Sequence, residues 1–263
     1  MSRRVWFFAA LASALLALSL ALDARRGSAV ASVTDGPYSA MPETPDGIGK
    51  IYLGREISKV MGHRGAAWLE RPGRVREERT DVLLDALPLA DGMVVADIGA
   101  GTGFFSFPIA ERIGSGRVLA VDIQAEMLDI IRRRQAAGAP ANVVPVLGTE
   151  TDPSLETGSV DLILIVDAYH EFSYPLEMGE ALVDALKPGG RMVLVEYRAE
   201  DRSVPIKWLH KMSEAQARKE MAAIGLDWTD TLDVLPQQHI LVFAKPAQRA
   251  AINAGENSAK NSD

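Results

Sequence analysis

Short apolar runs alternate with amphipathic segments through the middle of this 263-residue chain. The runs at Val94–Ile98, Arg117–Asp122, Val143–Leu147, Asp161–Val166 and Met192–Glu196 are short and rich in β-branched or aliphatic residues, which predicts strands. Helical spacing fills Thr102–Arg112, Ala125–Ala137 and Glu177–Leu186, with Lys187-Pro-Gly-Gly190 as the stop. A further helix over Ser213–Ile224 precedes two strand-like runs, Thr229–Leu235 and His239–Ala244, separated only by Pro236-Gln-Gln. Such a link is too short for a helical crossover, so these two runs pair antiparallel. Upstream the pattern turns helical from Ile51 to Leu87, where Val82, Leu83, Ala86 and Leu87 share one side of a helix closed by Pro88. Apolar strands separated by helices predict an α/β fold, a doubly wound and mostly parallel sheet covered on both faces.

The ends read differently. Val5–Leu22 is an uncharged, mostly apolar run behind Arg3 and Arg4, the layout of a signal peptide or membrane anchor over residues 1–31. Ala29-Val-Ala31 offers a cleavage site, and Ser2-Arg-Arg-Val-Trp-Phe7 resembles a twin-arginine export signal beside the simpler reading of a basic flank. Export to the periplasm or beyond is the expectation, with the membrane touched only through an uncleaved amino-terminal segment. Residues 32–50 read as a linker, 51–92 as a helical cap, 93–246 as the core domain and 247–263, small and polar, as a disordered tail.

Charge narrows the partners. The net charge is −7, and without residues 1–31, which carry four arginines and one aspartate, it becomes −10. A duplex-binding protein normally presents a basic face, so nucleic acid is not the expected partner and a small molecule is. With no cysteine in the chain, disulfides and thiolate-ligated metal are excluded.

The chemistry concentrates after the first core strand, where Val94-Val-Ala-Asp97-Ile-Gly99-Ala100-Gly101-Thr102-Gly103 places three glycines at alternate positions behind an acid. Glycine tolerates positive φ and lets a ligand lie against bare backbone, while the following helix start favours an anionic group. Nineteen residues on, Val118-Leu-Ala-Val-Asp122-Ile123 is a second apolar strand ending in a carboxylate able to accept both hydroxyls of a ribose. A nicotinamide-binding protein shares such an acid, but its loop reads G-x-G-x-x-G and this one reads G-x-G-x-G.

With these motifs the chain resembles the class I S-adenosylmethionine-dependent methyltransferases over residues 75 to 246. The resemblance implies a seven-stranded sheet ending in an antiparallel hairpin and S-adenosyl-L-methionine as cofactor. It implies that Asp97 braces the glycine loop and helps hold the methionine amino group, that the amides of Gly99, Ala100, Gly101, Thr102 and Gly103 approach the cofactor, and that Asp122 and Ile123 face its nucleoside. A methyl group added at Gly101 is expected to intrude on the cofactor. Where the family often has Gly-Asp after the third strand, this chain has Gly148 and Thr149, so Thr149 and Glu150 are the adenine-side candidates.

Val166-Asp167-Ala-Tyr169-His170-Glu171-Phe172 emerges from the carboxyl end of the fourth strand, the edge beyond which ligands of open α/β sheets bind. It lacks the N-P-P-Y sequence of amino-group methyltransferases acting on bases or glutamine amides, which favours a small-molecule acceptor. His170, Tyr169 and Asp167 are the candidate catalytic residues. Two readings of His170 stay open, a base for the acceptor's proton and a neutral histidine satisfied locally. Glu171 either orients the imidazole or faces water. His63, His210 and His239 are scattered, so no catalytic metal is expected. Met61–Trp68 and Glu70–Arg74 precede the core either as a lid or as a packing helix with a charged end. The rival functions are a non-catalytic cofactor-binding module and a nicotinamide oxidoreductase.

Overall fold

The computed structural model describes residues 36–247. The expected signal or anchor segment and nearly all of the expected tail lie outside them. No helix among the described residues is long and apolar enough to cross a membrane.

Two units make up the chain. The first, Met1–Ser39, is described only from residue 36 and contains the start of a short strand, β1 (Tyr38–Ala40). The second, Ala40–Asp263, opens on a hairpin of β2 (Gly47–Tyr52) and β3 (Arg55–Ser58), with Tyr52 opposite Arg55. The linker and helical cap expected over this stretch are therefore corrected. Leu53 (φ 47°) and Gly54 (φ 95°) both take positive φ, as the tight turns of hairpins require, and Tyr52 and Ile57 are fully buried. Helices begin only beyond the hairpin, as α1 (Ala66–Leu69), α2 (Arg74–Glu78) and α3 (Thr80–Ala86).

The core follows the predicted alternation: β4 (Val94–Ile98), α4 (Ser106–Arg112), β5 (Arg117–Asp122), α5 (Ala125–Ala136), β6 (Val143–Leu147), β7 (Val160–Val166), α6 (Pro175–Ala185), β8 (Leu186–Tyr197), α7 (Glu214–Ala223), β9 (Asp227–Leu232) and β10 (Gln238–Ala244). The strand order is β6-β5-β4-β7-β8-β10-β9, parallel from β6 to β8, with β10 antiparallel to both β8 and β9. The expected stop at Lys187-Pro-Gly-Gly190 instead lies within β8, which begins at Leu186, so the helix ends at Ala185, one residue earlier than expected.

Each strand divides its side chains between two cores, as period-two alternation demands. On β7, Leu162 and Leu164 pack with Leu83, Phe107, Leu128 and Ile131, while Ile163 and Ile165 pack with Met178, Leu182, Ala217 and Met221. Both faces being covered, all polar chemistry is driven to the strand ends.

The β4–β5 connection leaves no room for a side chain at Gly116, where a Cβ would lie 2.2 Å from the Met93 carbonyl oxygen. We expect Gly116→Ala to cost about 1–3 kcal/mol in urea unfolding, since only backbone can yield. Gly62→Ala, with nothing within 4 Å of the new methyl group, should leave the midpoint almost unchanged. Equal effects in the two variants would contradict the packing described.

Candidate active site

Parallel pairing sets Ile98 opposite Val121, so the turn after β4 sits beside the end of β5. Gly99, Gly101 and Gly103 have φ of 70°, 55° and 78°, a backbone path open to glycine and strained for other residues. The loop amides are engaged within the protein. Gly99 and Ala100 donate to the Val121 carbonyl at 2.9 and 3.0 Å, Gly103 donates to Ala100, and Gly101 donates to Asp122 Oδ2 at 2.9 Å. Asp122 Oδ1 in turn accepts from the Gln124 amide at 2.8 Å. The regular helix starts at Ser106 rather than Thr102 because turns occupy the intervening residues.

A cavity of about 750 Å³ opens over this edge, within the range typical of small-molecule sites. Gly99, Asp122, Ile123 and Glu150 line it on one side, and Asp167, His170 and Glu171 on another. Ile123 is 40% exposed beside the Asp122 carboxylate, an apolar surface next to an anionic acceptor. Of the other predicted residues, Asp97, Ala100, Gly101, Thr102 and Gly103 stand behind the wall and support it. Thr149 caps its own turn by accepting from the Asp152 amide, while Glu150 accepts from the Ser173 hydroxyl. A methyl group at Gly101 would strike Leu69 Cδ1, 2.7 Å away, so the obstacle there is a neighbouring side chain.

Leu69 belongs to the Met61–Arg74 segment, which roofs the cavity with Met61, Trp68 and Leu69. It is tied down at both ends. The Met61 amide donates to Glu171 Oε2 and its carbonyl accepts from Gln124, while Glu70 accepts from the Thr102 hydroxyl and from Arg134. Further along, buried Glu78 accepts from Arg71, Arg74 and the Tyr197 hydroxyl.

Three predicted catalytic residues fall in three environments. Tyr169 is 1% exposed and points into the core against Phe172, so it does not line the cavity. Asp167 has φ 50°, one oxygen accepting from Gln238 at 2.7 Å and the other buried with no partner among the described residues. Burial, with Glu78 and Glu196 nearby, pushes its carboxyl well above the ordinary value.

His170 is the best supported by geometry. Its Nδ1 lies 2.6 Å from Glu196 Oε2, which holds a proton on Nδ1 and turns Nε2 toward the cavity. Burial lowers its pKa, but the Glu196 carboxylate outweighs that and the net shift is upward. Its carbonyl accepts from Arg55 and from the Ser58 hydroxyl, and Arg55 is itself held by both oxygens of buried Glu220. The unexpected hairpin thus anchors the turn that carries His170. Beyond Nε2 lie His210 Nδ1 at 3.1 Å and Glu171 Oε1 at 3.9 Å, a cluster that scattered sequence positions concealed. Glu196 carried a signal that sequence reasoning passed over, an acid ending an apolar strand beside the one that bears His170; His210 carried none.

Comparison with known proteins agrees with this layout. Residues 95–190 match the family model described as a methyltransferase domain. The chain is 32% identical over 139 residues to an uncharacterized methyltransferase-like protein of Schizosaccharomyces pombe, covering 53% of this chain and 50% of that one. It is 33% identical over 135 residues to an uncharacterized methyltransferase of Mycobacterium bovis, covering 51% of each. It spans about half the length of these relatives. Among solved structures, a SAM-dependent methyltransferase from Aquifex aeolicus superposes with a TM-score of 0.66 at 24% identity, over 70% of this chain and 99% of that one.

Buried Asp97 accepts from the Ser106 hydroxyl at 2.6 Å, and burial, with a smaller contribution from Asp122, lifts its carboxyl to about 6. A folded-state value above the ordinary 3.8 means that the native state holds this proton more tightly than the unfolded chain. The associated stability is present below about pH 4 and is lost as pH rises through about 6, a loss of up to about 3 kcal/mol. Asp97→Asn should therefore flatten the decline in melting temperature between pH 4.5 and 7.5; parallel wild-type and variant curves would refute the assignment. Residues 95–190 thus match a methyltransferase domain, and the fold that carries them is the Rossmann-like fold of the class I methyltransferases.

Proposed function

We propose that this protein methylates a small-molecule acceptor with S-adenosylmethionine as donor. The observation that carries this reading is that the glycine turn with Asp122 and the His170 cluster open into one cavity.

The residues fit an adenosyl group. Asp122 keeps free lone pairs on both carboxylate oxygens for ribose hydroxyls, Ile123 offers the base an apolar surface, and Gly99 lets the ligand approach the main chain. The sulfonium supplies the reactive methyl group when bound. What the protein contributes is position: holding donor and acceptor near attack distance is worth about 7–11 kcal/mol of barrier in favourable cases. The roof formed by Met61–Leu69 shields that space from water, and the tethers to Glu171 and Gln124 couple it to both ends of the site. At the acceptor end, the Nε2 edge of His170, with His210 and Glu171, provides the polar groups that meet the incoming nucleophile. The acidic balance of the chain supports a small molecule over nucleic acid.

Asp122→Ala should weaken S-adenosylmethionine binding about ten- to hundredfold in calorimetric titration, the loss of one or two hydrogen bonds to a charged group. Gly101→Ala should also weaken it, and Leu69→Ala in the same chain should restore part of the loss, because the added methyl group displaces Leu69. Incubation with labelled donor and a metabolite extract tests transfer; donor binding without transfer to any acceptor would favour a binding module instead.

A further inference from the structure

We infer that His170 Nε2, His210 Nδ1 and Glu171 Oε1 form a binding site for one divalent transition-metal ion, open on its remaining side to the cavity. The three atoms are separated by 3.1, 3.5 and 3.9 Å. Ligands bound at about 2.0–2.1 Å around a tetrahedral ion lie about 3.3–3.4 Å apart, so these separations bracket the requirement with shifts of a few tenths of an ångström. Two imidazoles and a carboxylate are a donor set suited to zinc and its first-row neighbours, and leave one position for another ligand.

The surroundings are those of a supported site. Glu196 is fully buried and accepts the hydrogen bond from His170 Nδ1–H, which leaves the Nε2 lone pair to bind a metal. A carboxylate behind a ligating histidine fixes the ring and raises its basicity. Glu171 has one oxygen fixed by the Met61 amide at 3.1 Å, which directs the other at the two rings. Arg55 and Ser58 hold the backbone of the same turn. Burial is graded: the His170 side chain is 3% exposed, Glu171 15% and His210 23%, so the cluster faces outward only into the cavity that also contains Asp122 and Gly99. Without a cation, two imidazole nitrogens 3.1 Å apart share a single proton, and the Glu171 oxygen 3.5 Å from His210 is too distant for a hydrogen bond. A cation at the centre engages all three.

Such an ion selects acceptors. Its open position takes an anionic or readily ionised oxygen, so the acceptor class becomes a hydroxyl or carboxylate compound. That consequence rests on the methyl-transfer reading, whereas the ion site itself does not.

The test uses the full chain, freed of metal with a chelator and dialysed, then titrated with Zn²⁺ by calorimetry and with Co²⁺ by visible absorption. We expect one ion per chain and the intense absorption bands of low-coordinate cobalt. His210→Ala and Glu171→Gln, both at partly exposed positions, should each weaken Zn²⁺ binding by about a hundredfold or more, and Glu196→Gln by about ten- to hundredfold through the support it gives His170. His63→Ala should bind as wild type. S-adenosylmethionine is titrated into the same samples. Normal donor binding with no Zn²⁺ or Co²⁺ uptake overturns the ion site, as does uptake that survives both His210→Ala and Glu171→Gln. Ion uptake without donor binding removes the methyl-transfer reading and leaves the site standing.

Discussion

One carboxylate organises the glycine-turn side of the cavity. Asp122 accepts from the Gly101 amide with one oxygen and from the Gln124 amide with the other, so it joins the glycine turn, the end of β5 and the start of α5. The parallel register of β4 and β5 makes this geometry available, because it delivers the turn and the acid to neighbouring strand ends. Hydrogen bonds to a charged group are worth about 1.5–3 kcal/mol each, which exceeds the strain of a positive φ at glycine. The turn therefore rests in its ligand-facing shape before any ligand arrives, and binding need not supply that ordering energy.

The His170 side of the cavity rests on a second buried acid. His170 and Glu196 sit at the ends of adjacent strands, nearly sealed from water, and a buried pair that loses one partner costs about 3–5 kcal/mol. An apolar pair of the same volume would stabilise the fold at least as well, so stability does not account for the arrangement. Its distinctive product is direction: a ring held on its Nδ1 side by Glu196 and at its backbone by Arg55 and Ser58 presents Nε2 to the cavity in one orientation.

The sheet and its helices were legible because their signals are local. Val94–Ile98 and Val143–Leu147 are self-contained apolar runs, and the seven glycine-loop and strand-end residues from Asp97 to Asp122 declare themselves by spacing. The hairpin at Gly47–Ser58 reads as linker and helix in the sequence because its runs are short and its turn begins with leucine, a residue seldom found at positive φ. The His170 cluster is half visible in the sequence. His170 and Glu171 stand at a strand end where polar residues attract notice, but Tyr169 shares that position and turns inward, which only the geometry of the turn decides. His210 arrives from a loop forty residues away, and no periodicity records which side of the sheet such a loop crosses.

The same edge also shows where the fold accepts a penalty. Asp97, Asp122 and Asp167 all have carboxyls raised above the ordinary value, chiefly because burial penalises the charged form. Asp167 adds a positive φ and a buried oxygen without a partner among the described residues. These features cluster at the carboxyl ends of β4, β5 and β7, while the strand interiors pair Leu162 and Leu164 with one core and Ile163 and Ile165 with the other. A sheet packed on both faces can carry several kcal/mol of such cost at its rim without unfolding. Buried acids with raised pKa around a cavity mark a functional site more often than a structural one, because packing alone would replace them with apolar residues. Their placement on three neighbouring strand ends gathers that cost around one cavity.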